Sequence, residues 1–310
     1  MAAASILVTT PTMTRIADGC AALGPCISWS PDQPLAEALA GHPPPRALAV
    51  TSRAVDAALL DQLPALEIIA NMGVGYDKVD VAAATARGVV VCNTPDVLTD
   101  EVADLTLGLL LMTIRRMGAA ERFLRAGQWE TGAFPLSPTL RGRSVGILGM
   151  GRIGKAVAQR LGGFGVPVSY FGRHRQTDLA QTYFDDAVAL AHAVDTVISI
   201  LPGGEATRHV IDVRFLEALG PDGIVVNVGR GSSLDEAALI AALRRGAIAG
   251  AGLDVFEHEP HPSPELLTLD NVALMPHIGS ASEHTRAGMA QLVVDNIASW
   301  FREGRALTPV

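Results

Sequence analysis

A short apolar stretch that ends in a glycine triplet and continues as an amphipathic helix pattern constrains this fold more than any other feature. The stretch runs from Ser144 to Leu148, and the glycines are Gly149, Gly151 and Gly154. In such a strand–turn–helix the first glycine permits a tight turn, the second lets the backbone approach a phosphate, and the third lets the helix pack on the strand. The N–H groups at the helix start then face an anion. The context predicts a dinucleotide-binding unit rather than a glycine-rich turn without a ligand.

Composition and charge place the chain among globular proteins and disfavour several partners. Its 310 residues are 49% hydrophobic and carry a formal net charge of −8, which predicts one large or two medium domains and no attraction for nucleic acid or an anionic membrane. No segment offers the ~20 uninterrupted apolar residues that cross a bilayer. The N-terminal sequence lacks the basic start and long apolar run of a signal peptide. Cys20, Cys26 and Cys92 form no CxxC pair and no even set, so we expect reduced thiols and a cytoplasmic location.

The first part of the chain alternates short apolar runs with helical patterns. Four runs predict buried parallel strands: Ile6–Val8, Ala47–Val50, Glu67–Ala70 and Val89–Cys92. Asp96 to Met117 is predicted to form one long helix, since acidic residues lie in its first turns and Arg115 and Arg116 at its end, as the helix dipole favours. Residues 118–142 are predicted to be irregular.

The second part continues the α/β pattern. Together with the strand before Gly149, five further runs make six predicted strands of a doubly wound parallel sheet: Val166–Phe171, Asp195–Ile200, Gly223–Val228, Ile248–Val255 and Asn271–Met275. Asp235–Arg245 is predicted to be a helix between them. A last helix, Ser282–Glu303, would fold back on the first part. The expected fold class is therefore α/β with two domains, one of residues 99–282 inserted into one of residues 1–98 and 283–310.

The residues after the second strand of the nucleotide unit predict which cofactor is bound. An acidic residue about 20 positions beyond the glycines normally binds the ribose 2′-hydroxyl. Here Gly172, Arg173, His174 and Arg175 follow the strand and no carboxylate is present. A glycine leaves room for a 2′-phosphate, and two guanidinium groups can pair with it. We therefore predict NADP(H) rather than NAD(H), the alternative being ordinary solvated loop charges.

Four polar side chains stand at the ends of predicted strands in the second part. Arg230 follows one strand, Asp254 and Glu259 lie near the end of the next, and His277 follows the last. Doubly wound sheets bind ligands at the carboxyl ends of their strands. Reduction of a ketone needs a cation to hold the substrate, a proton donor at the carbonyl oxygen and a carboxylate beside that donor. These residues meet that need, although each alone could be a surface or structural side chain.

Several motifs occur together and in order. They are the glycine loop, VNVGRG, GLDVFEHEP and MPHIGS in the second part, with NMGVGYDKVD and TPDVLTDEVADLTLGLLL in the first. On these motifs, which cover nearly the whole chain, the protein resembles the D-isomer-specific 2-hydroxyacid dehydrogenases of the glyoxylate and hydroxypyruvate reductase kind. The resemblance implies a Rossmann-type nucleotide domain inserted in a flavodoxin-like substrate domain, a homodimer, and NADPH-dependent reduction of small 2-keto acids to D-2-hydroxy acids.

The resemblance also implies a role for each matching residue. Arg230 would bind the substrate carboxylate and keto oxygen, His277 would be the general acid in reduction, and Glu259 would pair with His277. Asp254 would face the nicotinamide amide. The substrate-binding residues would be Met72, Gly73, Val74, Gly75, Arg230 and His277. The cofactor-binding residues would be Gly149, Gly151, Arg152, Ile153, Gly154, Gly172, Arg173, Arg175, Leu201, Pro202, Thr207, Val228, Gly229, Arg230, Asp254, His277 and Gly279.

The substrate side chain and the class of function stay open at this point. Met72 and its apolar neighbours suggest a pocket without extra charge, which glyoxylate, hydroxypyruvate or a longer aromatic acid such as hydroxyphenylpyruvate would fit. A non-catalytic, corepressor-like NAD(P) sensor would use the same cleft. Formate dehydrogenase is disfavoured because that group places a glutamine where Glu259 stands.

Two further expectations concern partners and metals. Residues 118–142 resemble the family's dimer arm, in which Trp129 or Phe134 would reach the partner's active site or pack in the interface. His258 and His261 lie three apart with a proline between them. The zinc motif needs two histidines four apart on a helix, so no metal is expected.

Overall fold

The computed structural model describes residues 5–9, 14–30 and 32–310. The expectation that no signal peptide is present concerns the N-terminal sequence, much of which lies outside the described residues. The chain divides into two compact units, Met1–Leu98 with Ser282–Val310, and Thr99–Ala281. The boundary near the C-terminus therefore lies one residue before the predicted one, and the final helix belongs to the first unit.

The described residues form twelve strands and eleven α-helices. The strands are β1 Ser5–Thr9, β2 Cys26–Trp29, β3 Pro45–Val50, β4 Ile68–Asn71, β5 Val90–Cys92, β6 Val145–Leu148, β7 Val168–Phe171, β8 Thr182–Phe184, β9 Thr196–Ser199, β10 Ile224–Asn227, β11 Gly250–Leu253 and β12 Val272–Leu274. The helices are α1 Thr14–Cys20, α2 Leu35–Leu39, α3 Ala57–Asp61, α4 Val81–Ala86, α5 Thr99–Ile114, α6 Met117–Arg125, α7 Arg152–Gly162, α8 Ala187–Ala193, α9 Val213–Leu219, α10 Glu236–Arg244 and α11 Glu283–Glu303.

The first unit is built on a five-stranded parallel sheet in the order β2-β1-β3-β4-β5, which is the flavodoxin-like order. Its strands are almost entirely apolar because helices cover both faces. Alternate residues of a strand belong to different cores: Leu7 lies in one cluster and Ile6 in the other. Val293 and Ile297 of α11 complete the second cluster, so the C-terminal helix covers one face of this sheet.

The second unit contains a seven-stranded parallel sheet in the order β12-β11-β10-β9-β6-β7-β8. Successive strands run outward from β6 on one side to β8, and from β9 on the other side to β12, which is the doubly wound order of dinucleotide-binding folds. The strand order reverses between β6 and β9. Ligands of such sheets bind at the carboxyl ends of the strands beside this reversal. The predicted α/β fold class is confirmed.

Several predicted elements were wrong. Residues 118–142 are not irregular throughout, since α6 begins at Met117 and a 3-10 turn spans Gln128–Glu130. The long helix is shorter than predicted because Asp96 adopts a left-handed backbone and Arg116 does so after the last turn of α5. The first sheet has five strands rather than four, and the second has seven rather than six. Within the described part of the chain, no helix combines the length and apolar character needed to cross a bilayer.

Candidate active site

The predicted phosphate loop has the backbone geometry that its glycines suggested. Gly149 follows β6 with φ of +99°, a conformation that L side chains rarely adopt, and a Cβ there would lie 3.0 Å from the Ile200 carbonyl oxygen. A Cβ on Gly154 would collide with the Gly149 carbonyl oxygen, whereas one on Gly151 would meet no atom within 4 Å. Gly151 precedes the first turn of α7, where Arg152 and Ile153 begin the helix and N–H groups lack intrahelical acceptors. Space and donors for an anion therefore coincide beside Gly151.

The loops after β9 and β10 touch each other next to this turn. A Cβ on Gly229 would lie 2.5 Å from the Leu201 carbonyl oxygen, so only a glycine allows this approach. The Val228 N–H donates to Ser199 O at 3.1 Å. The Thr207 hydroxyl donates to Pro202 O at 2.7 Å. The fold thus gathers the predicted cofactor residues of these two loops at the carboxyl edge of the sheet.

The basic loop after β7 is attached to the glycine loop. Arg173 and Arg175 are exposed, and neither makes an ion pair with the described residues. The Gln176 side-chain amide donates to Met150 O at 2.7 Å, and the Gln176 N–H donates to the Tyr170 hydroxyl oxygen at 2.8 Å. Gln176 therefore holds the two guanidinium groups beside the phosphate loop. Sequence reasoning missed it, because its partner is 26 residues away.

A set of side chains after β10 fixes the backbone of Arg230. The Arg230 carbonyl oxygen accepts hydrogen bonds from the Asn227 amide at 3.0 Å and from the Ser233 hydroxyl at 2.7 Å. A Cβ on Gly231 would collide with the Phe256 carbonyl group, so this segment packs directly against the loop after β11. The motif Val226–Gly231 therefore needs its last glycine for close packing against Phe256, and it also carries Arg230.

His277 and Glu259 form a hydrogen-bonded pair in this unit. His277 Nδ1 lies 2.7 Å from Glu259 Oε2, and the two side chains are 44% and 32% exposed. Burial alone would raise the pKa of the Glu259 carboxyl, but the hydrogen bond and charge of His277, the Phe256 N–H and the charge of Arg230 together lower it. Since an ionised carboxylate only accepts, Nδ1 carries a proton and Nε2 is left for another partner. Of the three predicted catalytic residues, His277 and Glu259 are therefore in direct contact, and the charge of Arg230 favours the ionised form of the same carboxylate.

Glu257, the nearby carboxylate that could have taken this role, points elsewhere. Its Oε1 lies 2.6 Å from His209 Nε2. The geometry thus separates the two acids of the motif: Glu259 pairs with His277 and Glu257 pairs with His209.

Asp254 holds the turn that carries His277. Its side chain is 1% exposed, and its two oxygens accept from the Ile278 N–H at 2.7 Å and the Gly279 N–H at 2.8 Å. Burial raises the pKa of the Asp254 carboxyl, although these two hydrogen bonds and the charge of His277 oppose that shift. His277 itself has φ of +53°, which costs a non-glycine residue backbone strain. The bonds from Asp254 stabilise that strained turn, while its predicted contact with the nicotinamide amide stays a prediction.

The predicted substrate loop lies in the first unit, directly after β4. The Asn71 amide donates to Gly73 O at 3.2 Å and to Gly75 O at 3.1 Å, and the Asn93 amide donates to Val74 O at 2.9 Å. Met72 N–H is bound to Val50 O. The N–H groups of Val74 and Gly75 have no acceptor among the described residues. Because the loop carbonyls are already hydrogen-bonded and these two N–H groups are not, the loop can receive an anion. Asn93 was not predicted.

The absence of a metal at His258 and His261 stays a prediction. Within the described ranges, no group of three or more His, Cys, Asp or Glu side chains is arranged to hold a metal ion.

Comparisons with known proteins find dehydrogenases and reductases whose fold matches the one described above. Residues 107–279 match the family model described as D-isomer specific 2-hydroxyacid dehydrogenase, NAD binding domain. The chain is 45% identical over 259 residues to glyoxylate/hydroxypyruvate reductase A of Arabidopsis thaliana, covering 84% of this chain and 83% of that protein. It is 46% identical over 255 residues to hydroxyphenylpyruvate reductase of Plectranthus scutellarioides, with 82% of each covered. The crystal structure of an NADPH-dependent glyoxylate/hydroxypyruvate reductase from Sinorhizobium meliloti, in complex with NADP and malonate, superposes with a TM-score of 0.93 at 47% identity, covering 100% of this chain and 97% of that one.

Proposed function

This chain belongs to the D-isomer-specific 2-hydroxyacid dehydrogenase family, and from that premise we propose that it reduces small 2-keto acids, glyoxylate and hydroxypyruvate among them, with NADPH. The observation that carries the proposal is the His277–Glu259 pair, 2.7 Å apart; the charge of Arg230 also lowers the pKa of the Glu259 carboxyl. An acid, its supporting carboxylate and a cation are the groups that ketone reduction requires. A corepressor-like sensor would not need this pair.

The residues fit a dinucleotide with a 2′-phosphate. The open space at Gly151 and the N-terminus of α7 suit the pyrophosphate. Arg173 and Arg175 suit the additional phosphate, since no carboxylate stands among residues 172–177 and Asp178, further along the loop, pairs with Lys155 at 3.1 Å. The cofactor is therefore NADP(H), and when bound in its reduced form it supplies a hydride.

Each catalytic side chain has a distinct task in this proposal. The Arg230 guanidinium binds the substrate carboxylate and polarises the keto oxygen, because it is always charged and can bind two oxygens. His277 Nε2 donates a proton to the keto oxygen as that oxygen becomes an alkoxide. Glu259 orients the ring through Nδ1 and stabilises the imidazolium, while Asp254 holds the backbone of the turn. The Asn71–Gly75 loop serves as a further site for a carboxylate.

A turnover assay with matched substrates tests the proposal. NADPH oxidation is followed by the loss of reduced-nicotinamide absorbance, with glyoxylate, hydroxypyruvate and hydroxyphenylpyruvate as substrates. We expect turnover with the first two and formation of the D-isomer. NADPH binding without turnover of any 2-keto acid would favour the sensor instead.

A second substrate class, the aromatic 2-keto acids, is favoured by a cavity beside the catalytic pair. The cavity has a volume of about 320 Å³ and is bordered by His277, Glu259 and mostly apolar side chains, namely Phe256, Pro260, Pro262, Leu267, Leu274, Met275 and Pro276. An apolar wall discriminates in favour of a phenyl group. If hydroxyphenylpyruvate has the higher kcat/KM in the assay above, this class replaces the smaller acids as the preferred substrates.

We also propose that the protein is a cytoplasmic homodimer. The segment 117–136 exposes large apolar side chains, with Trp129 68% and Leu136 99% exposed, and such side chains are typical of an interface. Phe134 packs within its own chain, since its ring contacts Phe123 at 5.4 Å between centroids. The described cysteines form no disulfide, as is usual in a reducing compartment. Light scattering should give a dimer that Leu136→Glu dissociates, whereas a wild-type monomer would contradict the proposal.

A further inference from the structure

The loop that carries Glu259 is attached at both ends to one buried carboxylate. The carboxylate belongs to Glu236, the first residue of α10, which is 7% exposed. Glu236 Oε2 accepts from the Glu257 N–H at 3.2 Å, and Glu236 Oε1 accepts from the Ser263 N–H at 3.0 Å. Glu259 lies between the two attached residues. We call Glu236 with these two N–H groups the Glu236 anchor.

Contacts of Glu257 and His209 extend the anchor. Glu257 Oε2 accepts from the Glu236 N–H at 3.3 Å, so the two glutamates bind each other's backbone. Glu257 Oε1 lies 2.6 Å from His209 Nε2, while Asp235 Oδ2 lies 4.0 Å from His209 Nδ1. A carboxylate oxygen accepts, so we assign the proton of this contact to His209 Nε2. Because an unsatisfied carboxylate is costly to bury, these bonds keep Glu236 in one place and the loop with it.

The position of Glu259 depends on this loop. Apart from His277, the hydrogen bond that orients the Glu259 carboxylate comes from the Phe256 N–H of the same loop, at 3.1 Å. That bond acts at the start of the loop, where Phe256 packs against Gly231, and does not hold the part of the loop that follows Glu259. The Glu236 anchor connects the loop to α10 instead, and α10 is part of the packed core through Leu239 and Leu243.

We propose that Glu236 is a positioning residue for the reaction, which sets the Glu259–His277 geometry through the Glu257 and Ser263 N–H groups. The inference rests on the proposed function for its catalytic consequence. Loss of the anchor leaves the phosphate loop and the Arg230 segment in place, so proton donation weakens while cofactor and substrate binding persist. A misplacement of about 1 Å at a reacting group lowers turnover by about 100-fold.

Glu236→Gln is the first variant to make. Glutamine has the same shape but one of its two acceptor oxygens becomes an NH₂ group, which cannot accept from an N–H. We expect kcat for keto-acid reduction to fall about 10- to 100-fold, with KM and NADPH affinity unchanged. Glu236→Asp keeps both oxygens on a shorter side chain and should recover part of the loss. Glu217→Gln, which removes an exposed carboxylate paired with Arg245 at 3.1 Å, is the matched control and should not change kcat.

Amide hydrogen exchange supplies a measurement that needs no turnover, and its first arm needs no variant. In the wild-type protein the Glu257 and Ser263 N–H groups should exchange slowly, and in Glu236→Gln at least one should exchange quickly. Rapid exchange of both in the wild type overturns the proposal, even if the variant fails to fold. It is also overturned if folded Glu236→Gln keeps full kcat, or if NADPH affinity falls together with kcat. A wild type that is inactive on every 2-keto acid contradicts the proposed function, and the exchange result still decides whether the anchor exists.

Discussion

Replacing the basic loop should change which nicotinamide cofactor the protein prefers. Arg173 and Arg175 are exposed after β7, and Gln176 ties their loop to Met150 beside the glycine turn. Arg173→Ala removes one guanidinium that would bind the 2′-phosphate of NADPH. Gly172→Asp adds the carboxylate that would bind the 2′-hydroxyl of NADH and repel that phosphate.

The expected size of the effect follows from the number and exposure of these charges. A hydrogen bond to a charged group contributes about 1.5–3 kcal/mol, and each 1.36 kcal/mol corresponds to about tenfold in kcat/KM. Arg173 is exposed, and solvent screening places its contribution at the lower end. Arg173→Ala should therefore reduce the ratio of kcat/KM for NADPH over NADH by about tenfold. Gly172→Asp together with Arg173→Ala should bring the ratio below one, since the new carboxylate repels the 2′-phosphate and the pairing of Arg173 with that phosphate is lost.

The ratio is measured with both cofactors at a saturating keto-acid concentration. Arg214→Ala on α9 is the control, because it removes another exposed guanidinium far along the chain from this loop, and it should leave the ratio unchanged. A wild-type ratio below one would refute the reasoning. So would a ratio that Arg173→Ala does not lower, since the loop charges would then be ordinary solvated charges.

The catalytic loops allow three further predictions. His277→Ala should lower kcat about 10²- to 10⁴-fold while NADPH binding, followed by cofactor fluorescence, persists; unchanged turnover would exclude the proton-donor role. Glu259 has a lowered pKa in the folded state, so its stabilising contribution exists above the unfolded pKa and disappears as pH falls through the folded pKa. Because solvent screens this partly exposed pair, Glu259→Gln should be only slightly less stable than wild type in urea at neutral pH and equally stable in acid, and a gap that is constant with pH would contradict this. Gly231→Ala places a Cβ against the Phe256 carbonyl, which should destabilise the fold by about 1–3 kcal/mol and lower kcat; a fully active, equally stable protein would disprove the close approach.

The sequence predicted most of the apolar, buried strands and missed two of the four edge strands, β2 and β8. β8 is a three-residue edge strand without a fully buried residue, and β2 is an edge strand of four residues. Neither has enough apolar periodicity to stand out from a loop. α6 has no buried residue, so no core face marks it. The left-handed backbone of Arg116 that separates it from α5 is a tertiary feature without a glycine signal.

At the candidate site, the motifs singled out the residues that we expect to carry chemistry, but not the hydrogen bonds that hold those residues in place. Arg230, Glu259 and His277 stand at strand ends, a position that topology relates to ligand binding. The family resemblance assigned Glu259 rather than Glu257 as the partner of His277; spacing alone does not make that choice, because the two are two residues apart and both are acidic. Asn93 and Gln176 were missed because a single polar residue that binds a distant carbonyl produces no local pattern.

The acid–base pair and its supports differ in burial, and this difference determines how variants should behave. His277 and Glu259 are 44% and 32% exposed, whereas Asp254 and Glu236 are 1% and 7% exposed. Solvent screens the exposed pair, so its hydrogen bond contributes little to folding and its removal mainly lowers kcat. The buried carboxylates each accept two backbone N–H bonds, and a partner left unsatisfied there costs about 1–3 kcal/mol. Substitutions of Asp254 or Glu236 should therefore lower both stability and kcat, while His277→Ala lowers kcat alone. If variants at all four positions showed the same ratio of stability loss to kcat loss, this division of roles would be wrong.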